Sequence, residues 1–138
     1  MRFGCHVSIA GGIFNAPKNA GALGCEVFQM FTRSPQGGPA PKLTAEIIKQ
    51  FRAACNEHKQ EAWYVHAPYY INFASGNPAI RASTIRVIRE ELERSSAIGA
   101  RAMMTHMGSA KDAGSEAEAV RVVIGGVKKM LDGYKGSA

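Results

Sequence analysis

The sequence predicts an α/β fold on a parallel sheet, four βα units that make half of a (β/α)8 barrel. Three observations carry this reading. A short apolar strand, a loop holding Gly, Pro, Ser or Asn, and an amphipathic helix recur four times in series, and such alternation means a parallel sheet. The second strand is almost continuously apolar, as expected where helices cover one face and a core fills the other. At 138 residues the chain has about half of the roughly 250 residues typical of an eight-stranded βα barrel.

The elements follow in order. Arg2 to Val7 reads as the first strand, followed by the pair Gly11 and Gly12 and a small-residue helix that runs to Leu23 and stops at Gly24. The second strand is Glu26 to Phe31. Its loop, Thr32 to Lys42, carries Pro35, Gly37, Gly38, Pro39 and Pro41. Thr44 is placed to cap a helix whose Ile47, Ile48, Phe51, Ala54 and Cys55 form one apolar stripe. The third strand is Ala62 to His66, and its loop is rich in aromatic and amide side chains. Asn77 then caps and Pro78 takes the first helical position, where a missing N–H costs nothing. That helix buries Ile80, Thr84, Val87, Ile88 and Leu92 and closes at Gly99. Arg101 to Thr105 is the fourth strand. Ser115 and Glu118 are spaced as a capping box, and Val120, Val123, Ile124, Val127 and Leu131 form the last stripe before Gly133.

Half a barrel carries a physical problem, because its first and fourth strands each expose an edge of unpaired N–H and C=O groups. The expectation is therefore a truncated chain, or a half that pairs with another. A complete small doubly wound sheet is the alternative.

Composition narrows the class. With 46% hydrophobic and 20% charged side chains, the chain can bury one core of single-domain size, which excludes a disordered polymer. No apolar run approaches the roughly 18–20 residues that cross a bilayer, and MRFGCHVSIAGG lacks the apolar core of a signal peptide, so a soluble cytoplasmic protein is expected. Cys5, Cys25 and Cys55 are odd in number and contain no CxxC pair, and they read as reduced core thiols. A net charge of +6 suits a polyanionic partner and is a weak lean by itself.

In parallel α/β folds, ligands bind at the carboxyl ends of the strands. His6 lies near the end of the first strand, His66 at the end of the third and His106 just past the fourth, all on one rim. A single strand-end His is more often a packing residue, but imidazoles from adjacent strands roughly 5 Å apart can converge on one metal ion. The carboxylates of a complete site are missing: Glu26 begins a strand, and Asp112 lies in the last loop. No GxGxxG, GxxxxGK[ST] or GxSxG is present, so dinucleotide, nucleoside-triphosphate and serine-nucleophile readings lack an anchor. The Gly11 and Gly12 turn is read equally as a phosphate contact and as a tight turn with close helix packing. Two loops suit nucleic acid. Arg33 to Lys42 combines cations with flexible glycines and rigid prolines, and Tyr69 and Tyr70 project just after His66. Against that, Tyr70 is equally well placed to pack under its own loop.

Four blocks then resemble a known family. HVSIAGG from His6 to Gly12, FQMFTRSP from Phe28 to Pro35, HAPYYIN from His66 to Asn72 and THMGS from Thr105 to Ser109 are similar to the endonuclease IV family of apurinic/apyrimidinic DNA-repair enzymes. The resemblance covers the whole chain, with the blocks in order at four successive strand ends. It implies a TIM (β/α)8 barrel of the xylose isomerase-like superfamily, of which residues 1–138 are the N-terminal (βα)4 half. It also implies a trinuclear zinc site that cleaves the phosphodiester 5′ to an abasic nucleotide in duplex DNA, leaving a 3′-hydroxyl. On the same ground His66 and His106 are the metal-holding histidines, and His6 supports the pocket floor without touching the ion. Tyr69, Tyr70, Arg33 and Gln36 are the DNA-binding set. Gln36 stands where relatives often carry an intruding arginine, and the family's remaining ligands fall beyond Ala138, so the fragment alone is expected to be inactive. Two other readings stand beside this one: a sugar isomerase or epimerase on the same barrel, and a non-catalytic half-barrel that self-associates through its open edges.

Overall fold

A computed structural model describes residues 1–138. The elements run β1 (Gly4–His6), α1 (Asn15–Ala22), β2 (Val27–Met30), α2 (Ala45–Glu57), β3 (Ala62–His66), α3 (Pro78–Ile98), β4 (Ala102–Met104) and α4 (Glu116–Leu131). The four strands form one parallel sheet in the order β1-β2-β3-β4. Each crossover is a helix, as parallel pairing requires. β3 matches its expected bounds, whereas β1, β2 and β4 are shorter than the apolar runs that announced them. β1 and β4 are the two edges of the sheet, and every residue of Gly4–His6 is exposed. Gly4 is needed at its position, because a Cβ there would run into the carbonyl of Val27 on β2.

The caps behave as their residue types dictate. Thr44 Oγ1 accepts from the Ile47 N–H, Asn77 Oδ1 from Ala79 and Ser115 Oγ from Glu118. Gly99 ends α3 in the left-handed region at φ 76°. The capping box is only half formed, since the Glu118 carboxylate turns to Arg121 instead of reaching back to Ser115.

Strand alternation divides the sheet into two faces. Phe28, Met30 and Val65 point to the helices and pack with Phe51, Cys55 and Ile98, all at most 1% exposed. A second cluster joins Ile71, Phe73, Val87, Ile88, Leu92 and Met130 beneath α3 and α4. The opposite, concave face carries His6, Gln29 and Tyr64 in register and has no helix over it.

Three expectations need correction. Val120, Ile124 and Leu131 are 52%, 51% and 47% exposed, so only Val123 and Val127 of the α4 stripe pack against the core. α4 meets its neighbours through Val123, Val127 and Met130 together with the small residues Ala119 and Gly126, and Gly126 lets the helix approach the ring of Phe73. Ile80 is likewise 42% exposed. Of the cysteines only Cys55 is a core thiol; Cys5 is exposed and its Sγ lies 3.6 Å from that of half-buried Cys25.

Burial pushes the Cys55 thiol up to about 12 from the usual 9.0. The folded state holds this proton more tightly than the unfolded one, so the associated stability is complete below about pH 9 and is lost as pH rises towards about 12. Iodoacetamide at about pH 8 should modify exposed Cys5 and spare Cys55 until denaturant is added. Equal labelling of both under native conditions would contradict this packing.

Candidate functional site

The carboxyl ends of β1, β2 and β3, with the loop after β4, gather one aromatic cluster. The ring centroid of His66 lies 6.0 Å from His6, 5.3 Å from Phe31, 5.5 Å from Tyr69 and 5.3 Å from His106. Register explains the convergence. His66 pairs with Met104, so both point to the concave face, and His106, two residues on, returns to that face at the same rim. His66 is buried, and its Nδ1 is 2.6 Å from the Ala67 carbonyl. A carbonyl only accepts, so Nδ1 carries the proton and Nε2 keeps its lone pair in the neutral ring. This tautomer is the one that leaves Nε2 free to bind a metal. His6 Nδ1 is 3.0 Å from Gln29 Oε1, and its ring lies 4.5 Å from Phe31. The strand-end histidines are thus together at the rim, whereas His58 is half-buried at the end of α2 against Gly21.

The two loops proposed for nucleic acid differ. Tyr69 is 63% exposed, with its ring set edge-on to Phe31 and His66, and its N–H donates to the Pro35 carbonyl at 3.0 Å, tying one loop to the other. Tyr70 is 39% exposed and leans over a small cavity of about 110 Å³ with Ile71, Ile80 and Val87, so it packs partly on its own loop. Gln36 is exposed beside Gly37 and Gly38, whose φ values are 129° and 91°. Arg33 departs from expectation. Its guanidinium turns inward, with Nε 2.6 Å from Glu91 Oε1 and Nη2 2.8 Å from Glu90 Oε2. Burial alone would lower its pKa, but the two carboxylates outweigh that and raise it. A cation held this way is not free for a phosphate.

Sequence reading missed four contributors. Phe31 is the ring between His6, His66 and Tyr69; its position at the end of an apolar strand was the available signal. Glu91 and Arg94 carry no motif that singles them out, yet both are buried against the loop after β2. Asn72 clasps the loop after β4: its Oδ1 accepts from Ser109 N and Ala74 N, and its Nδ2 donates to the Ser109 carbonyl. Gly108 at φ 104° passes so close to Asn72 that a Cβ would collide with it. Asp112 accepts from Ser75 Oγ at 2.8 Å, which holds its carboxyl below the usual range. No group of three or more His, Cys, Asp or Glu side chains is arranged to hold a metal ion.

A family model described as a xylose isomerase-like TIM barrel matches residues 17–135. The chain belongs to that family. Among xylose isomerase-like proteins, the one named probable endonuclease 4 of Symbiobacterium thermophilum is 35% identical over 137 residues, covering 99% of this chain and 49% of the relative. That of Aquifex aeolicus is 36% identical over 132 residues, covering 96% and 46%. The crystal structure of endonuclease IV from Thermus thermophilus superposes with a TM-score of 0.84 at 27% identity, over 98% of this chain and 48% of that one. A D-allulose 3-epimerase from Methylomonas, with a TM-score of 0.59 at 15% identity, shares the fold alone. The chain thus spans about half the length of the curated relatives it matches. In this xylose isomerase-like half, Asn72 ties the β3 loop to the segment that carries His106. Asn72→Ala should cost about 1–2 kcal/mol through the lost hydrogen bonds and should speed amide exchange at Met107–Ser109. Unchanged exchange there would show that the clasp does not hold the loop.

Proposed function

We propose that this chain is the N-terminal (βα)4 half of a zinc-dependent DNA-repair endonuclease that cleaves the phosphodiester 5′ to abasic sites in duplex DNA, as in base excision repair. The observation that carries the reading is the imidazole pair. Two rings bonded to one tetrahedral zinc at about 2.0–2.1 Å stand with centroids about 5 Å apart, and those of His66 and His106 are 5.3 Å apart. The His66 tautomer, fixed by the Ala67 carbonyl, presents the nitrogen such an ion needs. This spacing and tautomer support zinc held with His66 and His106 as two of its ligands, and further ligands, carboxylates among them, would come from the rest of the barrel. When bound, zinc supplies charge neutralisation at phosphoryl oxygens and makes water a stronger acid.

This chain's own residues would position the substrate. His6, held by Gln29, packs Phe31 against the His66 ring and keeps the pocket floor rigid. Tyr69 is the exposed wedge and Gln36 the tip of the neighbouring loop. Pushing side chains into a base stack costs a few kcal/mol, and least where a base is already missing, which favours abasic DNA. The net charge of +6 assists, so binding to DNA should weaken steeply with salt. No helix is long and apolar enough to cross a membrane, and the cytoplasm is the proposed compartment.

The concave sheet face, the edges of β1 and β4, and the outward Val120, Ile124 and Leu131 are surfaces that a complementary half would cover. Alone, this chain is proposed to be inactive and to self-associate. Sedimentation should show a dimer or larger species, and a stable monomer at micromolar concentration would refute the edge argument.

Zinc titration tests the site. His66→Ala and His106→Ala should each weaken binding by more than the about 10–100-fold typical of losing a supporting partner, with the circular dichroism spectrum unchanged. Zinc binding that survives both substitutions would remove the basis for the reading. A parent barrel that fails to cut abasic duplex DNA with zinc supplied would overturn the activity itself.

A further inference from the structure

One helix holds both ends of the loop between β2 and α2. Arg94 on α3 donates from Nε to Thr32 Oγ1 at 2.8 Å and from Nη2 to the Thr32 carbonyl at 2.7 Å, where the loop begins. Its Nη1 donates to the Pro41 carbonyl at 2.8 Å, where the loop ends. Glu91, 0% exposed, accepts from Thr32 Oγ1 at 2.7 Å and from Arg33 Nε at 2.6 Å. Glu90 takes the outer nitrogen of Arg33. Between these anchors, a Cβ at Gly37 or Gly38 would meet open space. The base is immobilised and the tip is unpacked, and the Tyr69 N–H bonded to the Pro35 carbonyl aligns the tip with the tyrosine.

We propose that Glu91 and Arg94 are positioning residues for the rim: they present the Gln36-Gly37-Gly38 tip beside Tyr69 as a prong formed before any partner arrives. This rests on the reading of the rim as a DNA-binding surface. A buried ion network adds little net stability compared with apolar packing of the same volume, so its placement at the roots of one loop points to orientation. Arginine is suited to the task because its planar fork reaches three acceptors at once, which a lysine ammonium on a single stem cannot do in the same geometry. A loop ordered in advance loses its freedom during folding and not on binding.

The experiment compares the chain with Arg94→Lys and Glu91→Gln. Hydrogen exchange should rise about tenfold or more at the amides between Ser34 and Lys42 in Arg94→Lys, with the amides of β3 and the middle of α3 unchanged. In parallel, a fluorescent duplex with one abasic site is compared with the intact duplex at fixed salt. Arg94→Lys should lose most of the preference for the abasic duplex while its affinity for the intact one stays the same. Faster loop exchange with an unaltered preference would reduce the network to structural support and overturn the proposal, as would failure of both variants to fold. Should the unsubstituted chain bind both duplexes equally, the DNA reading fails. The exchange measurement then still decides whether the two residues hold the loop, and unchanged exchange overturns that too.

Discussion

The rim depends on the register in which β3 and β4 run parallel, with His66 opposite Met104. Because strand side chains alternate, that one pairing decides which residues of each strand share the concave face. A shift by one position would turn His66 into the helix-facing core and bring Val65 to the rim. The register is secured from the other side, where Val65, Met30 and Phe28 fill the space against Phe51 and Ile98. The hydrophobic core thus determines where the polar chemistry emerges, and core residue Ala67 touches it directly through the carbonyl that holds His66.

Loops complete what the strands begin, and they are joined to one another as well as to their own elements. Tyr69 bonds to Pro35, Asn72 to Ser109, and Ser75 to Asp112. Each bond crosses from one βα unit to the next, so the rim behaves as a connected ring segment. Arg33 shows the cost of assuming otherwise. Taken as a loop cation it suits a phosphate, but in the folded chain its charge is engaged inside, by Glu90 and Glu91.

Much of the fold was legible because local chemistry and tertiary placement agree. Thr44, Asn77, Pro78, Gly99 and Ser115 mark helix ends by their own hydrogen-bonding habits, independently of what the helices pack against. The three strand-end histidines were legible for a similar reason, since a strand followed by a polar loop defines a rim without reference to the partner strands. Where the reading failed, the deciding partner is distant in sequence. Glu91 and Arg94 are charged residues on a helix, and nothing nearby in the chain reveals that Thr32, some sixty residues away, needs them. The outward face of α4 failed for a different reason. Periodicity reports that an apolar stripe exists and not how much of it the neighbours cover: Val123 and Val127 face the core beside Gly126, whereas Val120 and Ile124 look away.

The anchoring of the β2–α2 loop from α3 separates the part of that loop that must be kept from the part that can change. Thr32 and Pro41 are gripped through oxygen atoms, two of the three being main-chain carbonyls, and Gly37 and Gly38 between them border open space. Exposed Gln36 can therefore be exchanged with little effect on the folded scaffold, whereas a side chain at Gly37 or Gly38 would be strained by its own backbone. The loop is, in effect, a replaceable side chain on a fixed mount.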